Sequence, residues 1–355
     1  MGRERLHYIP TLDEVEIDKR LERLLVHGSI DDRDLESRVA RLAERFRTYA
    51  CCAPHGLWVP GLALTHEMRG IAELYLPLNE IRRACDRLFS LSLRCSPFLP
   101  ASVLHTATSW LDALHRLQPL VREANPARLM HRLMADGDFR HRFLFSLFLP
   151  RRYGGSFERY PAQSVFLRGW LAVYRPKGSV RCLDAACGSG EGCYELAMLL
   201  RDTGSPPESF EVHGATVEPL ELFAAAHGWF PHDPGRQTAY RHRIGRLFRD
   251  GTAERVMLYR EDLTEGNLSA GEAYDVIICN GLLGGPLLNE REKLVGTIGR
   301  LCARLKPGGI MLAANRFHGG WQRATPTDAL GKILAENGLT LRACGEGIAG
   351  VKQQR

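Results

Sequence analysis

Long hydrophobic runs are missing from this 355-residue chain. Nowhere do about eighteen apolar residues follow one another, so no helix of it is expected to span a bilayer. The first sixteen residues carry early charges but no apolar segment behind them, so a secretory signal is not expected. Gly2 is followed by Arg-Glu-Arg-Leu, without the serine or threonine of a myristoylation site. Ten cysteines are scattered and form no Cys-x-x-Cys pair. Reduced thiols and a cytoplasmic location are the expectation, ahead of disulfides or a zinc site. Lysine is scarce. The 47 basic residues are nearly all arginine and are spread along the chain, giving a net charge of +6 without a basic run. A nucleic-acid-binding arm is therefore not expected. What remains is globular in composition, 45% apolar and 25% charged, and long enough for two domains.

Residues 1–150 read as an all-helical domain. Thr11-Leu-Asp-Glu14 has the form of a capping box, and Ser29 precedes an acid-rich first turn. Further helices are predicted near 64–75, 79–92, 101–118 and 127–148, punctuated by prolines. The pattern changes after Gly155. Strands are predicted at 180–185, 210–216, 255–260, 274–279, 308–314 and 339–345, with helices near 190–203, 219–227, 289–305 and 327–336. This alternation implies a doubly wound, mostly parallel sheet of the α/β class over residues 151–355. Residues 227–251, rich in Arg, His, Gly and Pro, look like an insertion between the second and third of these strands.

The chemistry concentrates where the first strand meets a helix, at Asp184-Ala-Ala186-Cys-Gly188-Ser-Gly190-Glu191. Two glycines allow positive φ and bring backbone close to a ligand, and such crevices lie beyond the carboxyl ends of strands. No Gly-Lys-Ser/Thr follows, so this is not a Walker loop. Cys193 stands where a dinucleotide fingerprint has its third glycine. The second strand ends at Glu218, an acid able to accept both hydroxyls of a ribose. Glu261-Asp262-Leu263 follows the third strand and offers an acceptor for an adenine amino group. The fourth strand runs into Asn280-Gly281, and Leu305-Lys-Pro-Gly-Gly309 makes a tight turn into the fifth. Adenosine with an amino-acid tail held at the glycine loop fits all these positions.

In order and spacing the set resembles the class I S-adenosylmethionine-dependent methyltransferases: "LDAACGSG" is similar to their first motif and "LKPGGIML" to the turn into their fifth strand. The resemblance implies a Rossmann-like, seven-stranded sheet and S-adenosylmethionine as cofactor. A narrower resemblance, over about residues 140–318, is to the CheR-type glutamate methyltransferases of chemotaxis receptors. "AACGSGEGCYELAMLL" matches their Glu-Glu-x-Tyr-Ser-x-Ala helix at Glu191, Tyr194 and Ala197. "GGSFERYPAQSVF" resembles their Ser/Thr-x-Phe-Phe-Arg segment, which implies cofactor contacts at Ser156 and Arg159. The chain departs from that family in several places. Its second Glu is Gly192 here, its Arg-Asn is Asn280-Gly281, its Ile-Tyr-Phe is Gly284-Gly285-Pro286, and its Asp-x-Asp is Thr216-Val-Glu218. Thr216 and Glu218 both stand as ribose-holding candidates.

Cofactor contacts are thus expected at Ser156, Arg159, Asp184, Ala186, Gly188, Gly190, Glu191, Glu218, Asp262, Leu263, Asn280 and Gly281, with no metal. Tyr160, Arg159, Asn280, His318 and Trp321 lie on the expected acceptor side, and none is assigned as a base. The expected activity is methyl transfer to a protein side chain, such as a carboxylate, or to a small metabolite. The helical domain is expected to serve as a lid or substrate platform. The competing readings are a non-catalytic regulatory module that keeps the fold, favoured by Gly284-Gly285, and a nucleotide or dinucleotide binder, disfavoured by Cys193. The acids have plainer readings as well: Glu191, Glu218 and Asp262 suit the first turns of helices, and Arg159 suits a solvated surface.

Overall fold

The computed structural model describes residues 6–53, 56–150, 155–174, 176, 178–265, 273–314 and 324–353. The chain divides into two compact units. One joins Met1–Leu12, Arg152–Trp229 and Gln237–Arg355, and the other joins Asp13–Arg151 and Phe230–Arg236.

The second unit is built of helices. In Arg33–Cys52, Leu35, Val39, Leu42 and Tyr49 recur at helical spacing and are buried, while the intervening charges face water. Each such side chain contributes about 1.5–3 kcal/mol by leaving water. Caps fall on acids rather than on the hydroxyl residues expected from the sequence. Asp13, not Thr11, accepts the Glu16 N–H at 2.9 Å, and Asp32, not Ser29, accepts that of Leu35 at 2.8 Å. The stretch expected as one helix over 127–148 is two, Pro126–Ala135 and Gly137–Phe148. Asp136 closes the first and accepts the Phe139 N–H of the second at 2.9 Å. The stretch over 101–118 likewise breaks into Val103–Thr106 and Trp110–Arg116. Arg140 is fully buried, and its guanidinium is spent on backbone. It donates to the carbonyls of Leu133 (2.7 Å), Val26 (2.9 Å) and Gly28 (2.6 Å), tying a helix end to a loop more than a hundred residues away in sequence.

The first unit is an α/β sheet of eight strands: β1 (His7–Tyr8), β2 (Val180–Asp184), β3 (Phe210–Thr216), β4 (Val256–Arg260), β5 (Tyr274–Ile278), β6 (Leu305–Ala313), β7 (Leu339–Ala343) and β8 (Ile348–Lys352). Their order is β1-β4-β3-β2-β5-β6-β8-β7. β4, β3, β2, β5 and β6 are mutually parallel, and β8 is antiparallel to both β6 and β7. Strands β2–β8 are the seven-stranded doubly wound sheet. The chain runs outward from β2 through β3 and β4 and returns on the other side at β5, so the switch point lies at the carboxyl ends of β2 and β5.

Two strands escape the sequence reading. β1 lies at the edge of the sheet, where His7 and Tyr8 pair with Tyr259 and Leu258, and Tyr8 packs edge-on against Phe223 and His227. β8 carries Gly350 because a Cβ there would stand 2.8 Å from Leu339 Cδ1, and a small-residue strand has little apolar alternation to read. The insertion over 227–251 holds the helix Pro234–Arg249, which buries Tyr240, Ile244 and Leu247 on one face. Among the described residues no helix is long and apolar enough to cross a membrane.

Candidate functional site

The glycine loop is pinned by the sheet beneath it. Beyond Asp184 the chain still follows its neighbours: Ala185 N–H donates to Ile278 O at 2.7 Å and Cys187 N–H to Ala215 O at 2.9 Å. Gly188 (φ +51°) and Gly190 (φ +89°) then turn it into the helix Glu191–Asp202, with Gly190 as the N-cap. The glycines differ in what demands them. A Cβ on Gly190 would lie 2.7 Å from Ala225 Cβ, and one on Gly192 would lie 2.3 Å from Asp184 Oδ2, so both are required by packing. A Cβ on Gly188 would meet nothing nearer than Glu221 Oε1 at 4.0 Å. Its open side is the cradle. The missing third glycine is compensated from the facing strand: Gly214 on β3 makes room for Cys193, whose Sγ would stand 2.4 Å from a Cβ there.

Buried polar groups hold the loop. Ser189 Oγ donates to Glu191 Oε2 at 2.7 Å, and both side chains are buried. Tyr240, from the inserted helix, donates its hydroxyl to Ser189 O at 2.6 Å, while Tyr194 donates to Ala225 O at 2.8 Å. Asp184 lies under the loop, 5% exposed, accepting a long bond from Ala186 N–H (3.4 Å) and one from the Cys193 thiol at 3.8 Å. Burial pushes its pKa up to about 7.

At the carboxyl end of β3 three residues are linked by hydrogen bonds. Thr216 Oγ1 donates to Glu221 Oε2 at 2.7 Å and accepts Glu218 N–H at 3.3 Å. Glu218, buried, is the N-cap of Pro219–His227 and accepts the Leu220 N–H at 3.0 Å. Glu218 thus serves as the helix-start acid of its plainer reading. Glu221, which the sequence reading passes over, is the carboxylate beside Gly188. Its position three residues past Glu218, in the same first turn, is the signal that would have found it.

Beyond β4 the two acids diverge. Glu261 is half of an internal ion pair with Arg304 (3.2 Å to each oxygen). Asp262 makes a local turn, its Oδ1 accepting the Thr264 N–H (2.9 Å) and hydroxyl (2.6 Å). The Leu263 side chain is buried. Beyond β5, Asn280 exchanges hydrogen bonds with the buried Gln163 (2.7 and 3.2 Å), and its Oδ1 also accepts Ala314 N–H at 2.7 Å. Gly281, at φ +71°, donates its N–H to Ala314 O at 3.0 Å. The visible task of Asn280 is therefore to fix the ends of β5 and β6 to the helix Pro161–Val173. Gly284 is no scar of a lost site. A Cβ on it would stand 2.9 Å from Thr325 Cβ, and its carbonyl accepts the N–H groups of Ala324 (2.9 Å) and Thr325 (3.0 Å).

Ser156 is exposed, and Arg159 is half-buried with its guanidinium 5.3 Å from the Tyr160 ring centroid. Between them Phe157 packs 5.3 Å from Tyr240, and Glu158, at φ +59°, bonds through its N–H to Glu195 and through its carboxylate to Arg243. Tyr240 thus touches both the Ser156–Arg159 segment and the glycine loop. The sequence reading missed Tyr240 because it lies in no motif, and Gln163 because, within "GGSFERYPAQSVF", it took contacts only from Ser156 and Arg159. His318 and Trp321 lie outside the described residues.

No family model matches the chain. Over 196 residues it is 24% identical to the probable biofilm formation methyltransferase WspC of Pseudomonas putida, covering 51% of this chain and 44% of that protein. The chain thus spans less than half the length of this curated relative. Among solved structures it is similar to the S-adenosylmethionine-bound amino pentose methyltransferase CalS10 of Micromonospora echinaspora, with 16% identity, 56% of this chain and 93% of that one covered, and a TM-score of 0.38. It is also similar to the sugar N-methyltransferase KedS8 of a Streptoalloteichus species, with 16% identity, coverage of 57% and 96%, and a TM-score of 0.37. In strand order, glycine loop and sequence relative the chain is similar to the class I, Rossmann-like methyltransferases, from which it diverges.

Proposed function

We propose that the chain binds S-adenosylmethionine at the carboxyl ends of β2–β5 and transfers its methyl group to a protein side chain, a carboxylate among the candidates, or to a small metabolite. One observation carries this reading: of the loop glycines, Gly188 alone faces open space, next to a carboxylate, at the switch point of the sheet. The residues present fit such a cofactor. Asp184, Ala186, Gly188, Gly190 and Glu191 form the cradle for its amino-acid tail, and Ser156 and Arg159 approach the same loop through Phe157 and Tyr240. Glu218, with Glu221 and Thr216 beside it, is placed for ribose hydroxyls. Asp262 and Leu263 are placed for adenine. Asn280 and Gly281 form the floor beyond β5.

When bound, the cofactor supplies a methyl group already activated on a sulfonium. The protein's own task is to align the acceptor and exclude water. A carboxylate acceptor is ionised at neutral pH and needs no base. The inserted helix is occupied with the glycine loop through Tyr240. The test is isothermal titration of the full chain with S-adenosylmethionine and S-adenosylhomocysteine. Binding by wild type that is lost in Gly188→Val supports the reading. A well-folded wild type that binds neither ligand overturns it. With a labelled methyl group, release of methanol from the product by mild base identifies a carboxylate acceptor.

A further inference from the structure

The segment Glu261-Asp262-Leu263 lies just past β4, where adenine is placed above, and it is not left to loop flexibility. Two arginines hold it from the same side. Arg300 donates through Nε (3.2 Å) and Nη2 (2.7 Å) to the carbonyl of Leu263, and the hydroxyl of the fully buried Thr297 reaches the same oxygen at 3.3 Å. Arg304 directs Nη1 at both oxygens of Glu261 (3.2 Å each) and Nη2 at the hydroxyls of Tyr259 (3.1 Å) and Tyr274 (3.3 Å). This ion pair is dry, with 7% and 8% of its two side chains exposed. Burying an ion pair costs desolvation that a surface pair avoids, so stability alone is a poor reason to place one here.

What the two arginines achieve is geometric. They fix the residues on either side of Asp262. Asp262 Oδ1 is itself taken up by Thr264, while among the described residues Oδ2 has no hydrogen-bond partner. The chain therefore presents one carboxylate oxygen in a set direction, with Thr264 on the other oxygen and the neighbours Glu261 and Leu263 held by Arg304 and Arg300.

We propose that Arg300 and Arg304 are positioning residues that set adenine selectivity, by fixing Asp262 so that Oδ2 accepts a hydrogen bond from an exocyclic amino group. This rests on the cofactor reading above. A group so aimed rejects an analogue that lacks the donor, because the carboxylate then faces an acceptor.

The experiment compares S-adenosylhomocysteine with S-inosylhomocysteine, which carries an oxo group in place of the amino group. Kd values for both are measured on wild type, Arg300→Met, and the double variant Glu261→Gln/Arg304→Met, which removes the ion pair without stranding a buried charge. Wild type is expected to prefer the adenosyl ligand by about 100-fold, and the preference to shrink about tenfold in each variant, with circular dichroism showing both folded. A merely structural role would weaken both ligands equally. An unchanged ratio in Arg300→Met, the variant outside the ion pair, overturns the proposal even if the double variant fails to fold. Wild type that binds adenosyl and inosyl ligands alike also overturns it. Wild type that binds neither overturns the cofactor reading itself, an outcome distinct from an unchanged ratio.

Discussion

Two alanine substitutions two residues apart should have opposite signatures. At Gly190 an alanine meets Ala225 Cβ at 2.7 Å and the Tyr240 hydroxyl at 3.1 Å, and must also adopt φ +89°. Overpacking costs about 1–3 kcal/mol and a left-handed L-residue about 1–2 kcal/mol, so Gly190→Ala should lose about 2–5 kcal/mol. At Gly188 the clash is absent, with 4.0 Å to Glu221 Oε1, and only the conformational cost at φ +51° remains. Gly188→Ala should therefore lose only about 1–2 kcal/mol and stay folded, yet place a methyl group in the cradle. Urea unfolding gives the stabilities, and titration with S-adenosylhomocysteine gives the affinities. The expected result is a nearly stable Gly188→Ala whose affinity falls at least about tenfold, corresponding to about 1.4 kcal/mol. Equal stability losses for the two variants would refute the packing argument. Wild-type affinity in Gly188→Ala would refute the cradle.

Asp184 makes stability depend on pH. Its folded pKa, about 7, lies above the unfolded value of 3.8, so the folded state binds the extra proton, and its contribution is lost as pH rises from about 4 to 7. Asp184→Asn should remove that slope and stabilise the ligand-free protein at pH 8 by an amount on the order of 4 kcal/mol, while urea midpoints at pH 4 stay close to wild type. Arg140→Met should cost about 3 kcal/mol or more, because it takes their arginine donor from the carbonyls of Gly28 and Leu133 and leaves that of Val26 with the 3.4 Å contact from His141, again read by urea unfolding. Tyr240→Phe removes the bond to Ser189 O. It should lower stability by about 1 kcal/mol and weaken S-adenosylhomocysteine several-fold by titration, and an unchanged affinity would mean that the inserted helix does not shape the loop.

Local chemistry was legible from the start. Alternating apolar runs and helical stretches marked β2–β7 within a few residues, since burial on both faces of a parallel sheet leaves continuous apolar segments. Glycine, proline and acid positions marked the loop and the turn into β6, since positive φ and caps are properties of single residues. Caps were misplaced where an acid two or three residues beyond the expected hydroxyl had the better reach, as at Asp13 and Asp32. What the sequence by itself determined is the fold class, the glycine loop and the acids at the strand ends.

Tertiary structure alone decided which of these groups is spent and which is left for a ligand. It gave Glu261 to Arg304 and left Asp262 Oδ2 without a described partner, and it bound Asn280 to Gln163. It set Glu221 beside Gly188, drew Tyr240 across to Ser189, and returned His7–Tyr8 to the edge of the sheet. These outcomes depend on pairs far apart in sequence, such as the 117 residues between Gln163 and Asn280. Periodicity records how deeply each residue is buried, but it carries no record of the partner waiting there.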